Sequence, residues 1–472
     1  MLKNVKVLLI NPSTIDEVVN KEFTPPLSLL YLGAALLKNG FETQILDINL
    51  YKPWKQDNES GYVKEIILNR IREYNPGLIG FGCLFSGQFP FVVRHSENIR
   101  NNFDVPIVVG GMHSTIFYQD ILMKCPYIDY VVIGEGEETI VNLANSIQKE
   151  VPLSPAVPGI AYRKKGKVIV NSKQGYIKKL DTIPFPAHEL INLEDYYHNT
   201  DNWHNPKGLK FKMTMPILAS RSCPMKCNFC SMRLVMGDII RYRTPKNIVD
   251  ELEMLFNKYS LNRFSFWDDN LNINKKQIIA INDEIIKRNL NIQYETPNGL
   301  GIRTLDEEII DSMVEGGWVR GAIAIESGSD YIRNKVIGKK LTKEKIIEVL
   351  KLLRKHKSLH IRAFFIIGFP EETSETIMES YEMIKKINVD EVYVTNCTPF
   401  PGTALFEQVK RDNLFVDSIK QQDLFKKPVF SNPNPSNKNF YIKPYKMEIS
   451  ELELFRMKID KLIEKKYQNS YF

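Results

Sequence analysis

The sequence contains no long apolar run. Its 472 residues are 43% hydrophobic and 25% charged, which is ordinary for a globular protein. No window holds the roughly 18 uncharged apolar residues that a membrane-spanning helix needs. The first residues also lack the apolar core and small-residue cleavage site of a signal peptide. We therefore expect a cytoplasmic protein without a membrane partner.

Strong clusters of basic residues are also missing. The 63 Lys and Arg residues and 56 Asp and Glu residues give a formal net charge of +7. These residues are well mixed along the chain, and only weak basic clusters occur, at Arg163–Lys167 and Lys207–Lys212. Nucleic-acid-binding surfaces need clustered Lys and Arg with aromatic residues between them. We therefore expect no nucleic-acid partner.

Cysteine is scarce and unevenly distributed. The chain has six cysteines, and three of them, Cys223, Cys227 and Cys230, fall close together while the other three are scattered. Disulfide frameworks are typical of small secreted chains, and a long chain of the cytosolic type does not need one. Clustered thiols in such a chain indicate metal binding instead.

Residues 1–150 alternate short β-branched runs with amphipathic helical segments, which makes five βα units. Strands that are apolar throughout indicate burial on both faces, and hence a parallel sheet of the flavodoxin or Rossmann type. In such sheets the ligand binds at the carboxyl ends of the strands. Glycine and small polar residues there allow the backbone to approach a large flat or phosphorylated ligand. The predicted strand ends carry Asn11–Ser13, Gly82–Ser86, Gly110–Gly111 and Gly134–Gly136.

The βα alternation returns after a proline-punctuated stretch. We interpret residues 151–205 as a linker with a hairpin near Lys165–Gly166, and residues 411–472 as a C-terminal helical extension with a helix near Ile449–Lys465. Six βα repeats over residues 206–410 predict a partial (β/α)6 barrel of the TIM type, with its site at the carboxyl ends of the strands. The predicted fold class is therefore α/β in both domains.

The first strand of this predicted barrel is Pro216–Arg221, and Tyr294–Glu295 marks its third strand. The clustered cysteines follow the first strand. Three thiolates on one loop can hold three corners of a [4Fe–4S] cluster, which leaves one iron open to chelate the amino and carboxylate groups of a methionine moiety. Structural zinc usually has four protein ligands. The next cysteine is Cys397, and no histidine lies between Cys230 and His356. A zinc site and three unrelated buried thiols are the alternatives.

The Cys-xxx-Cys-x-aromatic-Cys pattern, followed by a six-fold βα array, resembles the radical SAM superfamily. The preceding domain resembles the cobalamin-binding domain found in a large subset of that superfamily, and together the resemblance covers roughly residues 3–410. It implies three cofactors: a [4Fe–4S] cluster held by Cys223, Cys227 and Cys230, S-adenosylmethionine (SAM), and cobalamin.

The resemblance also implies a SAM site. Phe229 corresponds to the position beside the adenine, with a core aromatic as the alternative. Asp268-Asp269-Asn270 matches the contact to the methionine amino group, and Glu326-Ser327 the contact to ribose or carboxylate. Ile366-x-Gly368-xxx-Glu372 resembles the adenine-side motif, with Phe364 in place of the usual glycine. The implied SAM contacts are Phe229, Asp268, Asp269, Glu326, Ser327, Ile366 and Gly368.

Three segments of the first domain resemble cobalamin-binding signatures: Pro25–Gly33, Gly110–His113 and Gly134–Glu138. The Asp-x-His-x-x-Gly loop, which supplies a lower cobalt ligand in many cobalamin proteins, is absent, so we expect no protein histidine on cobalt. A domain that keeps this fold without the ligand is the alternative. The implied cobalamin contacts are Pro12, Ser13, Leu27, Ser86, Gly110, Gly111, His113, Gly134, Glu135 and Gly136.

The chemistry that the resemblance implies is cleavage of SAM by one electron to give a 5′-deoxyadenosyl radical. Methyl transfer from cobalamin to an unactivated carbon or phosphorus centre then follows, on a small-molecule or peptide substrate. An electron donor such as flavodoxin or ferredoxin supplies the electron. A radical cyclase or oxidoreductase with the same domains is the alternative among enzymes. A non-catalytic metal- or nucleic-acid-binding module is the alternative outside them.

Overall fold

The structure is a computed structural model that describes residues 5–13, 24–51, 61–151, 153, 157–173, 175–201, 203–416 and 439–467. The described residues form two compact units. The first contains those up to Tyr197 together with Leu234–Gly237, and the second contains the rest. Among the helices described, none is both long enough and apolar enough to cross a membrane.

The first unit is built on a seven-stranded sheet in the order β2-β1-β3-β4-β5-β6-β7. The first five strands pair in parallel, and their 2-1-3-4-5 order is that of flavodoxin-like sheets. The switch point of this order lies between β1 and β3. The strands are β1 (Val7–Asn11), β2 (Thr43–Asp47), β3 (Leu78–Gly82), β4 (Ile107–Gly110), β5 (Tyr130–Val132), β6 (Ile160–Lys164) and β7 (Lys167–Asn171).

Helices cover both faces of this sheet, which explains why its strands are apolar throughout. Along β1, Leu8 and Ile10 enter one hydrophobic cluster and Val7 and Leu9 enter another, because successive side chains of a strand point to opposite faces. The helices are α1 (Leu27–Lys38), α2 (Gly61–Tyr74), α3 (Phe89–Arg100), α4 (Met112–Lys124) and α5 (Glu137–Gln148). The predicted parallel sheet, buried on both faces, is confirmed.

The hairpin predicted near Lys165–Gly166 is present and joins β6 to β7. Both turn residues have positive φ, 48° and 74°, as two-residue turns matched to the twist of the strands require. β6 pairs antiparallel with β5 and so extends the first sheet. This part of the stretch that we interpreted as a linker therefore belongs to the sheet.

The second unit contains a six-stranded sheet in the order β8-β11-β12-β13-β14-β15, with every neighbouring pair parallel. This confirms the partial barrel of six βα repeats. The strands in this unit are β8 (Met215–Ile217), β9 (Ser220–Arg221), β10 (Arg241–Tyr242), β11 (Arg263–Phe266), β12 (Gln293–Leu300), β13 (Trp318–Glu326), β14 (His360–Ile367) and β15 (Glu391–Asn396).

Two strands differ from the sequence prediction. The first barrel strand was predicted as one run, Pro216–Arg221, but it divides into β8 and β9, and β9 pairs antiparallel with β10 instead of joining the barrel. The third strand was predicted only at Tyr294–Glu295, whereas β12 extends over eight residues. Pro297 and Gly299 lie inside β12, and these two residue types lower the strand propensity of a sequence.

The remaining helices follow the strands in alternation. Side chains cap the first turn of several of these helices by accepting a hydrogen bond from a backbone N–H of the helix that follows. The capping residues are Thr244, Asn274, Asp306, Thr342 and Thr373. The helices are α6 (Met232–Met236), α7 (Pro245–Tyr259), α8 (Lys275–Lys287), α9 (Glu307–Glu315), α10 (Lys343–Leu353), α11 (Ser374–Lys386), α12 (Ala404–Arg411) and α13 (Ile449–Tyr467).

Candidate active site

The second unit gathers the predicted site residues at one edge of its sheet. Because the barrel strands are parallel, their carboxyl ends meet at the same edge. The loop with the three cysteines follows β8 and β9, Asp268 follows β11, Glu326 ends β13, and Gly368 follows β14. Residues that are far apart in the sequence therefore lie along the mouth of the partial barrel.

The three cysteines lie on the loop between β9 and α6, which we call the cysteine loop (residues 222–231). Cys223, Cys227 and Cys230 are free thiols and are half-buried. Burial raises the pKa of each thiol, that of Cys230 to about 11, and the charges of Cys223 and Cys227 act in the same direction on Cys230. The three groups are thus close enough to interact.

The donor set on this loop fits an iron–sulfur cluster. The described part of the chain contains no group of three His, Cys, Asp or Glu side chains arranged around a single ion. A cubane cluster does not need such a group around one ion, because each thiolate binds a different iron of the cluster. Three mutually interacting thiols on one loop supply that number of ligands and leave one iron without a protein donor. Binding would deprotonate the thiols, since the thiolate is the ligand.

Asp268 is buried, with 3% of its surface exposed. Its Oδ2 atom accepts a hydrogen bond of 3.0 Å from the backbone N–H of Ala219, and its Oδ1 atom accepts one from the hydroxyl of Ser220. Burial raises the pKa of Asp268 to about 6. The side chain therefore connects the end of β11 to the segment that leads into the cysteine loop.

The next two residues also contact the cysteine loop. Asp269 accepts a hydrogen bond from the backbone N–H of Ser222, and burial raises its pKa to about 6. Ser222 has a φ of 76°, a left-handed conformation that costs a non-glycine residue free energy and is often found at functional sites. The side-chain nitrogen of Asn270 lies 4.0 Å from the sulfur of Cys223. The predicted amino-group contacts thus hold the loop that carries the cysteines.

Glu326 forms an ion pair that the sequence analysis missed. Lys339 Nζ lies 2.7 Å from Glu326 Oε1 and donates a 3.1 Å hydrogen bond to the carbonyl of Ala324. Glu326 has a left-handed φ of 67°. Burial raises the pKa of Cys227, and the charge of Lys339 opposes that effect. No motif distinguishes Lys339 from the many other lysines in the sequence.

Ser327 and Gly368 stabilise turns at the ends of their strands. The fully buried Ser327 hydroxyl lies 3.2 Å from that of Ser380 and accepts a 3.1 Å hydrogen bond from the backbone N–H of Ser329. Gly368 has a φ of 96°, and its N–H and that of Phe369 donate to the buried carboxylate of Glu372. Burial raises the pKa of Glu372 to about 8.

The adenine-side candidates lie near these turns. The rings of Phe229 and Phe369 have centroids 6.2 Å apart, so Phe229, which is half-buried, contributes to an aromatic pair. Ile366 is half-buried, whereas its neighbours Phe365 and Ile367 are completely buried. Alternate residues of β14 therefore point away from the helices and toward the inner face of the barrel.

In the first unit, Gln88 joins the two loops that border the switch point. Its side-chain nitrogen donates a 3.1 Å hydrogen bond to the carbonyl of Pro12, after β1. Its side-chain oxygen accepts hydrogen bonds of 2.9 and 3.0 Å from the backbone N–H groups of Leu84 and Phe85, after β3. Leu84 and Phe85 are 45% and 42% exposed. The switch point therefore presents two apolar side chains, which suit a large flat ligand.

Ser86 and His113 are brought together at the same edge. His113 Nδ1 lies 2.9 Å from the hydroxyl of Ser86, and the ring packs against Phe89 and Phe117. Burial lowers the pKa of His113 to about 3, so the imidazole is neutral. Only 1% of His113 is exposed, and this burial favours a supporting role for its side chain behind Ser86.

The other predicted cobalamin residues line the same edge, but several are engaged with the protein. Gly111 has a φ of 106°, and a Cβ atom on it would lie 2.3 Å from the carbonyl oxygen of Cys83. Glu135 is buried and accepts a 2.9 Å hydrogen bond from the backbone N–H of Ile177. Gly134 donates a 3.0 Å hydrogen bond to Thr115. The remaining predicted residues are the buried Pro12, Ser13 and Leu27 and the half-buried Gly110 and Gly136.

Comparison with known proteins connects these two sites to a family. Residues 18–144 match the B12 binding domain family, and residues 217–384 match the radical SAM superfamily. An uncharacterized methyltransferase of Pyrococcus horikoshii is 30% identical over 423 residues, covering 88% of this chain and 85% of that protein. The chain belongs to the radical SAM superfamily. It carries a B12 binding domain before the radical SAM domain.

Other relatives agree with this assignment. Cytidylyl-2-hydroxyethylphosphonate methyltransferase of Streptomyces wedmorensis is 28% identical over 450 residues, which cover 87% of this chain and 83% of that protein. The radical SAM methyltransferase TsrM of Kitasatospora setae, solved with cobalamin and a [4Fe–4S] cluster, has a TM-score of 0.72 at 18% identity, over 87% of this chain and 75% of that one. The likeness to TsrM shows the fold.

Membership of this superfamily identifies the chain as an enzyme and identifies its cofactors. Radical SAM enzymes use a [4Fe–4S] cluster and SAM, and the B12 binding domain adds cobalamin. The predictions of these three cofactors are confirmed. The alternative of a non-catalytic metal- or nucleic-acid-binding module is wrong for this chain. The individual contact residues stay predictions.

Proposed function

We propose that this radical SAM enzyme uses cobalamin to methylate an unactivated carbon or phosphorus centre. The observation that carries the proposal is that one chain combines three interacting thiols on a strand-end loop with a B12 binding domain. Two relatives that align over more than four-fifths of their own length support it, because both are named methyltransferases.

The proposed cluster ligands are Cys223, Cys227 and Cys230. When bound, the cluster and SAM supply a 5′-deoxyadenosyl radical and cobalamin supplies the methyl group, so the difficult chemistry belongs to the cofactors. The protein binds and orients these groups and keeps water away from them. In this proposal Asp268 and Asp269 hold the cysteine loop in place, through Ala219, Ser220 and Ser222.

We propose Glu326, held by Lys339, as the group that contacts the ribose or carboxylate of SAM. Its left-handed backbone supports this role, because strain of this kind is kept where the surrounding structure enforces it. Phe229, Ile366 and the backbone at Gly368 are the proposed adenine contacts. Ser327 is fully buried and bonded within its own turn, so we propose that it supports that turn.

For cobalamin, we propose that the strand-end loops at the switch point bind the ligand. Ser86, positioned by His113, and the backbone at Gly110, Gly111 and Gly134 are the proposed polar contacts. Leu84 and Phe85 add an apolar surface that the sequence analysis did not include. His113 packs between two phenylalanine rings, in keeping with our expectation that no protein histidine binds cobalt.

A radical cyclase is the second candidate. Anaerobic magnesium-protoporphyrin IX monomethyl ester cyclase of Rubrivivax gelatinosus is 28% identical over 392 residues, which cover 82% of this chain and 66% of that protein. The two candidates differ in whether the methyl group of SAM enters the product. Transfer of label from SAM carrying an isotopically labelled methyl group supports methyl transfer, and product without label supports cyclisation.

The proposed partners are a small-molecule or peptide substrate and a protein that donates single electrons, such as flavodoxin or ferredoxin. We propose that the chain acts in the cytoplasm, where thiols stay reduced and a cluster can be assembled. We propose no nucleic-acid or membrane partner.

The test of the cluster assignment is anaerobic purification with iron, sulfide and cobalamin, followed by iron analysis and a visible spectrum. Replacing Cys223, Cys227 or Cys230 by alanine should remove most of the iron and abolish SAM cleavage, because a cubane cannot be held by two thiolates. Cys397→Ala is the matched control, because Cys397 is a buried thiol that we place outside the ligand set, and it should keep its iron. Iron retained in all three loop variants contradicts the assignment.

A further inference from the structure

Four exposed cations lie on the cysteine loop or on segments that contact it, and we call them the basic rim: Lys226, Arg303, Lys335 and Lys340. Lys226 is part of the loop, between Cys223 and Cys227. Arg303 follows the carboxyl end of β12, and the other two follow the carboxyl end of β13. All four therefore belong to the edge of the sheet that carries the proposed cluster site.

Contacts within the second unit hold the basic rim against the loop. A guanidinium nitrogen of Arg303 lies 3.7 Å from the sulfur of Met225. The backbone N–H of Asn228 donates a 3.4 Å hydrogen bond to the carbonyl of Ile337, in the segment between Lys335 and Lys340. A Cβ atom built on Gly338 would lie 3.9 Å from the carbonyl oxygen of Lys226. The segments that carry these cations therefore pack against the cysteine loop.

The basic rim is not neutralised by the protein. No described Asp or Glu carboxylate lies within the 4.0 Å ion-pair distance of any of its four charged groups. Elsewhere on this unit exposed lysines do have such partners, as in the pair of Lys246 with Asp250 and the pair of Lys355 with Glu307. Unpaired like charges at one site repel each other, so an acidic partner would lower the electrostatic free energy of the surface.

We propose that the basic rim docks an acidic electron-donor protein, of the flavodoxin or ferredoxin class, directly over the cysteine loop. The inference rests on the proposed function, which needs one electron for each SAM cleaved. The donor loses one electron and the oxidised cluster gains it, and no proton or other atom moves in this step. Lys226 lies between two of the proposed ligands, so a donor bound to it approaches the cluster with little protein between them.

Charge complementarity favours a protein over a nucleic acid here. The four cations lie on one loop and on segments that contact it, whereas nucleic-acid sites spread basic residues along a groove with stacking aromatic side chains. Complementary charge also accelerates encounter between proteins, by tenfold or more at low salt, and the acceleration falls steeply as ionic strength rises. The proposal therefore predicts a salt-dependent rate of electron transfer.

The experiment measures how fast reduced bacterial flavodoxin reduces the cluster of the reconstituted full-length enzyme, by anaerobic stopped-flow absorbance. The variants are Lys226→Gln, Arg303→Gln and Lys340→Gln. The matched control is Lys357→Gln, because Lys357 is also exposed and lies before β14, at the opposite edge of the sheet. Reduction by a neutral photogenerated deazaflavin radical tests whether the cluster itself has changed, and iron analysis confirms its presence.

We expect each rim variant to lower the second-order rate constant with flavodoxin at least about threefold at low salt. The difference in rate constant between the rim variants and the wild type should vanish at about 0.5 M salt, where screening of the charges is nearly complete. Lys357→Gln and the deazaflavin rates should match the wild type. Equal rate constants with flavodoxin in the rim variants and the wild type overturn the proposal. The proposal is also overturned if the wild type binds single-stranded RNA in a salt-sensitive way and the rim variants lose that binding.

Binding of oxidised flavodoxin, measured by calorimetry, separates this inference from the proposed function. That binding does not need a cluster. If the enzyme retains no iron but still binds flavodoxin through the basic rim, the proposed function fails and the docking surface stands. If the enzyme retains iron but does not bind flavodoxin, or if the rim variants bind flavodoxin as tightly as the wild type does, only the proposed docking surface is contradicted.

Discussion

Asp268 shows why the position of a residue in a motif does not define its contacts. It lies at the end of a barrel strand, where a carboxylate commonly serves the active site. In the structure both of its oxygen atoms accept hydrogen bonds from Ala219 and Ser220. A buried carboxylate bonded in this way holds a neighbouring segment in place.

Replacement of Asp268 by asparagine therefore should weaken the cluster before it weakens SAM binding. The amide is neutral and has one acceptor oxygen where the carboxylate has two, so the hydrogen bonds to Ala219 and Ser220 lose the charge that makes such a bond contribute about 1.5–3 kcal/mol. We expect the iron content of Asp268→Asn to fall after gel filtration, while the dissociation constant of SAM per remaining cluster changes less than about twofold. Iron analysis and equilibrium dialysis with labelled SAM provide the measurement.

Asp283→Asn is the control for this substitution, because Asp283 is exposed on α8. Its iron content should equal that of the wild type. Full iron in Asp268→Asn together with a large loss of SAM affinity would show that Asp268 acts on SAM directly, as the resemblance of its sequence motif implies.

Gly111 illustrates the same point for the first unit. The glycine-rich end of β4 was predicted because a ligand could approach such a backbone closely. The structure adds a second reason, since the left-handed φ and the carbonyl of Cys83 leave no room for a Cβ atom. Packing between two loops of the protein is thus sufficient to require glycine there.

At the scale of elements, Arg163 connects the hairpin to the sheet's helical layer. From β6 its guanidinium donates to four carbonyls at and beyond the end of α4: Leu122 at 2.6 Å, Cys125 at 3.2 Å, Pro126 at 2.9 Å and Ile128 at 2.6 Å. Carbonyls at the end of a helix lack partners within the helix. In the sequence, Arg163 is distinguished only as part of a weak basic cluster.

Arg163→Lys should therefore destabilise the first unit by roughly 2 kcal/mol, because an ammonium group cannot reach four carbonyls with the geometry of a planar guanidinium. Urea unfolding followed by far-ultraviolet circular dichroism measures the change. Lys167→Arg, on the neighbouring strand β7, is the control and should leave the free energy of unfolding unchanged. A loss below about 0.5 kcal/mol for Arg163→Lys would contradict the assigned role.

At the scale of the whole molecule, a charged layer at the amino ends of the barrel strands should govern stability in acid. Glu391 accepts hydrogen bonds from His360 at 2.7 Å, Arg362 at 2.6 Å and Arg320 at 3.1 Å. Burial raises the pKa of Glu391, but these three partners outweigh burial and lower it to about 2. Ionised Glu391 therefore stabilises the folded chain.

Because the folded pKa lies below the unfolded one, this stabilisation is present above about pH 4.3 and is lost as the pH falls toward 2. Glu391→Gln leaves the half-buried guanidinium groups of Arg320 and Arg362 without their carboxylate and should lower the free energy of unfolding by about 3 kcal/mol at pH 7. The wild-type and variant curves should converge near pH 2. Urea titrations at several pH values, followed by tryptophan fluorescence, test this.

Glu348→Gln is the control, because Glu348 pairs with Lys345 on the surface of α10, where an ion pair contributes little. Its stability should follow that of the wild type at every pH. A constant difference between Glu391→Gln and the wild type from pH 7 to pH 2 would show that the carboxylate has no depressed pKa.

The amino-acid sequence alone determined the two α/β domains, the hairpin turn and the cysteine loop. These features depend on local patterns, because helix and strand periods and the spacing of three thiols are set by neighbouring residues. Tertiary structure decided what the strand-end residues do, because their partners are remote. Asp268 bonds a residue 49 positions away and Gln88 one 76 positions away. Hydrogen bonds over such separations depend on which strands become neighbours, and only the folded sheet specifies that.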